Sequence, residues 1–175
     1  YCGGNLNTAY LGIFAQTYPL SWTAYWPSTK SPVGVSKVIT IDLHASSIQG
    51  FYNVPIIHVN GNKIFIDYIK KNGIEDLTIL SPDQGAVKRA SDFCKAFPDC
   101  TFAMINKKRI KPNEIHSMEL VGDVKDRNVV IVDDMADTLG TLKKASELIM
   151  EKGAKSVRAI ATHGILSGAA MDNLY

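Results

Sequence analysis

The sequence predicts an α/β fold built on a largely parallel sheet, and three observations carry that prediction. Short apolar runs rich in β-branched residues, such as Leu77-Thr78-Ile79-Leu80 and Val129-Val130-Ile131-Val132, read as buried strands. Longer segments with apolar residues at helical spacing lie between such runs. The two kinds of segment alternate over most of the chain, which is the pattern of βαβ units.

In chain order, Lys37 to Leu43 reads as a strand. Asn62 to Asn72 reads as a helix with Ile64, Tyr68 and Ile69 on one face and Gly73 as its stop. Leu77 to Ser81 is a short buried strand. Gln84 to Phe97 is helical through Val87, Ala90, Phe93, Cys94 and Phe97. Thr101 to Ile105 is a strand, and Lys107 to Ile115, basic and carrying Pro112, reads as an exposed loop. Met118 to Val121 and Asn128 to Val132 are strands. Thr138 to Lys152 is helical through Leu142, Ala145, Leu148 and Ile149, and Gly153 ends it. Val157 to Thr162 is a further strand, and Ser167 starts a short helix.

With 175 residues the chain is long enough for a substantial core. Its net charge is +2, with acidic and basic residues well mixed, so neither a nucleic-acid groove nor a membrane patch is expected. Cys2, Cys94 and Cys100 are odd in number and lack metal-ligand spacing, which suits thiols in a reducing compartment, the cytoplasm. No apolar run approaches a membrane span, and no basic region precedes Lys30, so no secretory signal is expected. Residues 1–34 stand apart. They hold one charged residue, Lys30, together with Trp22 and Trp26, and sustain no period. They read either as an irregular N-terminal extension or as sequence foreign to the rest of the chain.

The most informative stretch runs from Val129 to Thr141. A buried strand ends in two carboxylates, Asp133 and Asp134. A small, hydroxylated loop comes next, Ala136-Asp137-Thr138-Leu139-Gly140-Thr141, and then a helix. Loop and helix start offer N–H groups and the Thr138 and Thr141 hydroxyls to an anion. The acidic pair cannot bind that anion, so it serves another part of the same ligand. A sugar phosphate meets both demands, its hydroxyls donating to the carboxylates. The plainer alternative is a strand-to-helix turn with Asp137 as N-cap. Ligands in parallel sheets sit at the C-terminal ends of strands, and Asp83, Asp133, Asp134 and His44 are all expected to follow strands.

This segment resembles the phosphoribosyl-pyrophosphate loop of type I phosphoribosyltransferases. Four further segments are similar to the ribose-phosphate pyrophosphokinase family, in its order and spacing. They are Asp42-Leu43-His44-Ala45-Ser46-Ser47-Ile48-Gln49-Gly50-Phe51, Ser81-Pro82-Asp83-Gln84-Gly85, Lys107-Lys108-Arg109 and Val121-Gly122-Asp123-Val124-Lys125-Asp126-Arg127. The resemblance implies a phosphoribosyltransferase-like α/β fold and transfer of diphosphate from Mg-ATP to the 1-hydroxyl of ribose 5-phosphate. It implies Mg²⁺ held by Asp83 and His44. Asp42, two residues before His44, projects to the same side if the strand continues, which would let it orient the metal shell. Lys107 and Arg109 are implied to be catalytic, on a mobile loop covering the triphosphate. Lys125, Asp133, Asp134 and the 136–141 loop are implied to bind ribose 5-phosphate. Without the resemblance, Asp83 reads equally as a helix N-cap, His44 as a structural histidine, and Lys107 to Arg109 as a solvated basic loop.

The resemblance also implies an organisation. Residues 35–57 match the tail of the family's first domain and 58–175 most of its second, so the chain is expected to be a partial version of a two-domain subunit. Homo-oligomers, or association with full-length subunits, are implied as partners. Departures are also visible. Ala86 stands where the family usually has glycine, a strained position if φ is positive. Asn53 and Ile57 replace two acidic positions, and the family's ATP-binding stretch is not recognisable, so little or no turnover by this chain alone is expected. Two further readings compete: a non-catalytic ribose-phosphate-binding or regulatory subunit, and a phosphoribosyltransferase.

Overall fold

The computed structural model describes residues 37–111 and 114–174, with side chains described at all of these except residues 108–117. The distinct segment at residues 1–34 lies outside the described residues. The chain divides into two compact units between Gly61 and Asn62.

The first unit holds β1 (Val38–Ile41), a short 3-10 helix (Ser46–Phe51) and β2 (Ile56–Val59). The strands form a parallel pair in which Ile39 faces Ile57 and Ile41 faces Val59. β2 is a strand that periodicity did not reveal: it is four residues long and follows Pro55 directly.

The second unit runs α1 (Asn62–Lys71), β3 (Leu77–Ser81), α2 (Val87–Cys94), β4 (Thr101–Lys111), β5 (Glu114–Val121), β6 (Asn128–Ala136), α3 (Gly140–Glu151), β7 (Ser156–Gly164) and α4 (Ala170–Leu174). The sheet order is β5-β4-β3-β6-β7. β3 pairs in parallel with β4 and β6, and β6 with β7, while β4 and β5 form an antiparallel hairpin. The α/β class with a largely parallel sheet is therefore what the chain adopts.

Strand alternation explains the two cores. Val129 and Ile131 of β6 pack with Leu80, Ala145 and Ile149 on the α3 face. Val130 and Val132 pack with Ile69, Ile79, Ala90 and Phe93 on the other face. A strand covered on both faces must be apolar at successive positions, and β6 is buried from Val129 through Val132. Each such side chain contributes about 1.5–3 kcal/mol relative to exposure. Gly73 and Gly153 end α1 and α3 at φ 57° and 89°, the left-handed conformation expected after a helix.

The segment 107–115 is not the loop that its charge suggested. Residues 107–111 extend β4 and 114–115 open β5, with register shifts between Lys108 and Arg109 and between Arg109 and Lys111. Cross-strand pairing outweighs composition here. Among the described residues no helix is long and apolar enough to cross a membrane.

Candidate functional site

The site lies at the C-terminal ends of three neighbouring strands, β4, β3 and β6. Register sets its level. Ser81 lies beside Met104, and Leu80 beside Ile131. Asp83, Lys107 and Asp133 therefore all fall within a few residues of the same height on the sheet.

Asp133 and Asp134 do not follow their strand; they belong to it. β6 continues to Ala136, with Asp133 beside Ala161 and Ala136 beside Gly164 of β7. Asp134 is nearly buried, at 8% exposure. The Asp133 carboxylate accepts the Asp134 N–H at 2.9 Å. Burial pushes the Asp133 carboxyl up to about 7, and the neighbouring Asp134 and Asp83 carboxylates add to the shift. Adjacent acids in a poorly solvated place cannot both carry full charge. Hydroxyl donors from a ligand would relieve that conflict.

The loop after β6 leads into α3 through Leu139 at φ 62°, and no side chain caps the helix. Asp137 is not the N-cap: its Oδ1 accepts the Ser167 hydroxyl at 2.5 Å. The first turn of α3 carries no acidic residue. The N–H groups of its first turn have no partner along the helix, and their combined dipole favours an anion.

Asp83 sits between β3 and α2. Its Oδ1 accepts the N–H groups of Gly85 and Ala86 at 3.0 and 3.2 Å. Its Oδ2 lies 3.2 Å from the Lys107 ammonium. The Lys107 side chain is only 8% exposed, so this cation is packed beside the site rather than carried on a solvated loop. The Arg109 side chain lies outside the described residues. Ala86 adopts φ −88°, ψ −2°, ordinary right-handed backbone, so the missing glycine causes no strain.

Of the other predicted residues, Lys125 is placed elsewhere on the sheet and Asp42 is otherwise engaged. Lys125 precedes β6, whose first residue pairs with Leu77 at the start of β3. The antiparallel β5 has carried the chain back to the N-terminal edge of the sheet. The length of β6, about 26 Å at roughly 3.3 Å per residue, separates Lys125 from the 136–141 loop. Asp42 is 3% exposed, and both its oxygens accept the Gly61 N–H at 3.2 Å. A Cβ at Gly61 would meet Asp42 Oδ2 at 2.7 Å. Asp42 thus braces the turn after β2. The strand ends at Ile41 and Asp42 turns to φ 44°, so the alternation that aligned it with His44 fails. His44 is exposed in the first unit. Among the described residues no group of three or more His, Cys, Asp or Glu could hold a metal ion.

Sequence reasoning passed over Ser167 and Asn173. Asn173 Nδ2 donates to the Thr138 carbonyl at 2.9 Å, from 35 residues away. Ser167 reads in the sequence only as the start of a short helix, which begins instead at Ala170.

Comparison with known proteins identifies the family. The phosphoribosyl transferase domain family model matches residues 48–173. Ribose-phosphate pyrophosphokinase 3 of Saccharomyces cerevisiae is 51% identical over 142 residues, covering 81% of this chain and 44% of the yeast protein. The ribose-phosphate pyrophosphokinase of Gloeobacter violaceus is 42% identical over 141 residues, covering 81% of this chain and 42% of its own. The chain spans about half the length of the curated relatives it matches. Phosphoribosylpyrophosphate synthetase from Mycobacterium smegmatis superposes with a TM-score of 0.78 at 34% identity, covering 90% of this chain and 51% of that one. The chain belongs to the phosphoribosyl transferase domain family, and within it is similar to the ribose-phosphate pyrophosphokinases.

Proposed function

We propose that this chain carries the sugar-phosphate and diphosphate-transfer site of a ribose-phosphate diphosphokinase. The reaction gives phosphoribosyl pyrophosphate and AMP from ATP and ribose 5-phosphate. The observation that carries the reading is the run from Asp133 and Asp134 into an uncapped helix start, level with the Asp83–Lys107 pair. The names of the relatives favour it over a phosphoribosyltransferase.

In this reading the ribose hydroxyls donate to Asp133 and Asp134, and the 5-phosphate rests on the N–H groups and hydroxyls of residues 136–141. The 1-hydroxyl oxygen then bonds to the β-phosphorus of ATP as its proton passes to solvent, the bond from that phosphorus to the bridging α–β oxygen breaks, and AMP leaves. Such a step calls for positioning and charge neutralisation. Lys107, shared between Asp83 and the incoming phosphates, supplies a packed cation where negative charge develops. Arg109 is assigned the same role by resemblance alone.

The residues present fit Mg²⁺, which uses one or two carboxylates together with substrate phosphates and keeps several waters. Asp83, at 42% side-chain exposure, would hold it. When bound, the ion neutralises charge on the transferred phosphates. His44 remains assigned to metal and nucleotide by resemblance alone. Assembly with further subunits of the same kind is part of the proposal.

The test is AMP release from Mg-ATP by the purified protein. AMP formed only when ribose 5-phosphate is present supports the assignment. Tight ribose 5-phosphate binding without AMP would leave a binding subunit.

A further inference from the structure

The turn after β7 is fastened to the back of the sugar-phosphate loop. The N–H groups of Ile165 and Leu166 both donate to the Ala136 carbonyl, at 2.9 and 3.1 Å. Asn173, in α4, donates its side-chain amide to the Thr138 carbonyl at 2.9 Å. The Leu139 carbonyl accepts the Lys143 N–H within α3 at 2.9 Å. The carbonyls of residues 136, 138 and 139 are thus all taken up by donors of the protein. A loop that receives an anion must present N–H groups and hold its carbonyl dipoles away. Here the second task falls largely to the turn and α4.

Two more features set the geometry. Ser167 Oγ donates to Asp137 Oδ1, fixing the one carboxylate inside the loop where it cannot swing toward the phosphate. Leu139 stands at φ 62°, a conformation that non-glycine residues keep only when their surroundings impose it. The turn itself is tightly shaped, with Leu166 at φ 52° and Gly168 at φ 55°. A Cβ at Gly168 would lie 4.0 Å from Thr138 Cγ2.

We propose that Ser167 and Asn173 are positioning residues for the 5-phosphate: they lock the 136–141 loop with its carbonyls turned away and its N–H groups free. Neither touches the ligand. The inference rests on the sugar-phosphate reading given above. It predicts that affinity for the phosphate end is set partly from outside the loop.

The experiment is calorimetric titration of the full chain with ribose 5-phosphate, and with inorganic phosphate as competitor. Ser167→Ala and Asn173→Ala are each expected to raise Kd about five- to tenfold, the size of one hydrogen bond. Inorganic phosphate should weaken in parallel, because the clamp acts on the phosphate loop. Ser167→Thr keeps a hydroxyl and should bind within about twofold of the parent, a threshold chosen well below that hydrogen-bond effect. Parent-like affinity in both alanine variants overturns the clamp. So does a loss of affinity that tracks a fall in melting midpoint and that threonine does not restore. If the parent chain itself fails to bind ribose 5-phosphate, the sugar-phosphate reading falls first and the clamp with it.

Discussion

The two edges of the five-stranded sheet are both rich in polar side chains, yet they use them in opposite ways. At the N-terminal edge they pair with one another. Arg127 donates to the carbonyls of Leu77 and Asp99 and to the hydroxyls of Thr78 and Thr101, tying β3 to β4. Asn128 bridges to the Glu75 carbonyl and accepts from Ser156, and Lys155 meets Asp76 at 2.6 Å. That ion pair holds the Asp76 carboxyl below its usual range. At the C-terminal edge the acids crowd together instead. Asp133 is pushed up to about 7, and Leu139 holds a left-handed backbone. One edge is arranged for stability, while the other stores unfavourable charge that a ligand can relieve. Mutations should therefore separate: binding lost without stability at one edge, and stability lost without binding at the other.

The largest effect is expected from removing the acidic pair. Asp133→Ala combined with Asp134→Ala should weaken ribose 5-phosphate by about 3–6 kcal/mol, since each charge-assisted hydrogen bond is worth roughly 1.5–3 kcal/mol. The same variant should unfold at no lower urea concentration than the parent at pH 8, because a like-charge conflict has been removed. Unchanged affinity by calorimetry would sink the assignment of these carboxylates to the sugar.

Next comes Lys107→Met, which keeps the packing and deletes the cation. AMP formation should fall about 10²- to 10³-fold, the cost of losing one preorganised donor at a developing charge. KM for ribose 5-phosphate should hardly move. If KM rises while kcat holds, Lys107 binds substrate uniformly and does not act at the transition state.

Arg127→Ala tests the opposite edge. Losing hydrogen bonds from a charged donor to β3 and β4 should cost about 2–3 kcal/mol of stability by urea unfolding. Affinity for ribose 5-phosphate should stay within about twofold, because sites a strand length apart couple weakly. A large loss of affinity in the folded variant would mean that the edges are not independent.

The C-terminal edge was partly legible in the chain, the N-terminal network was not, and the failures share a cause. Strands β3 and β6 announced themselves because a strand covered on both faces must be continuously apolar, and α3 because its stripe ends in glycine. α1 also stops at a glycine, but its expected face was wrong: Ile64 and Tyr68 are exposed, and Phe65, Ile66 and Ile69 meet the core. The Asp133–Thr141 run stood out because carboxylates beside a small, hydroxylated loop suit the two chemistries of a sugar phosphate. What stayed hidden depended on non-local pairing. The basic 107–115 segment looked solvated, but β5 pairs with it and Lys107 packs against Asp83. Lys125 was assigned to the sugar phosphate by resemblance, and nothing in the sequence shows that β5 runs antiparallel and returns the chain to the far edge. Asp42 looked like a ligand until the backbone turn at that residue aimed both oxygens at Gly61. Ser167 and Asn173 carry no motif, since their partners lie some thirty residues away.

The effect that is smallest for a single step, here one pH unit, is a pH dependence, and its sign distinguishes the edges most finely. Asp133 is raised from an ordinary 3.8 to about 7, so the ligand-free fold holds a proton that the unfolded chain releases. Its contribution to stability is complete below pH 4 and is lost as the pH rises through 7. The Asp76 shift runs the other way: its lowered carboxyl favours the fold above the ordinary carboxylate range and loses that as acid protonates it. Binding reverses the first effect. Ribose hydroxyls donate to the ionised carboxylate, so the ligand must expel the Asp133 proton. Affinity should improve about tenfold per pH unit, roughly 1.4 kcal/mol, up to pH 7 and then level off. The 5-phosphate ionises near pH 6 and adds its own slope. Asp133→Asn separates the two, because it removes the carboxylate's share and leaves the phosphate's. Proton release on binding at pH 6.5, measured by calorimetry in buffers of different ionisation enthalpy, should fall in this variant. Equal release by parent and variant would show that Asp133 is already ionised, and that the two edges differ in geometry alone.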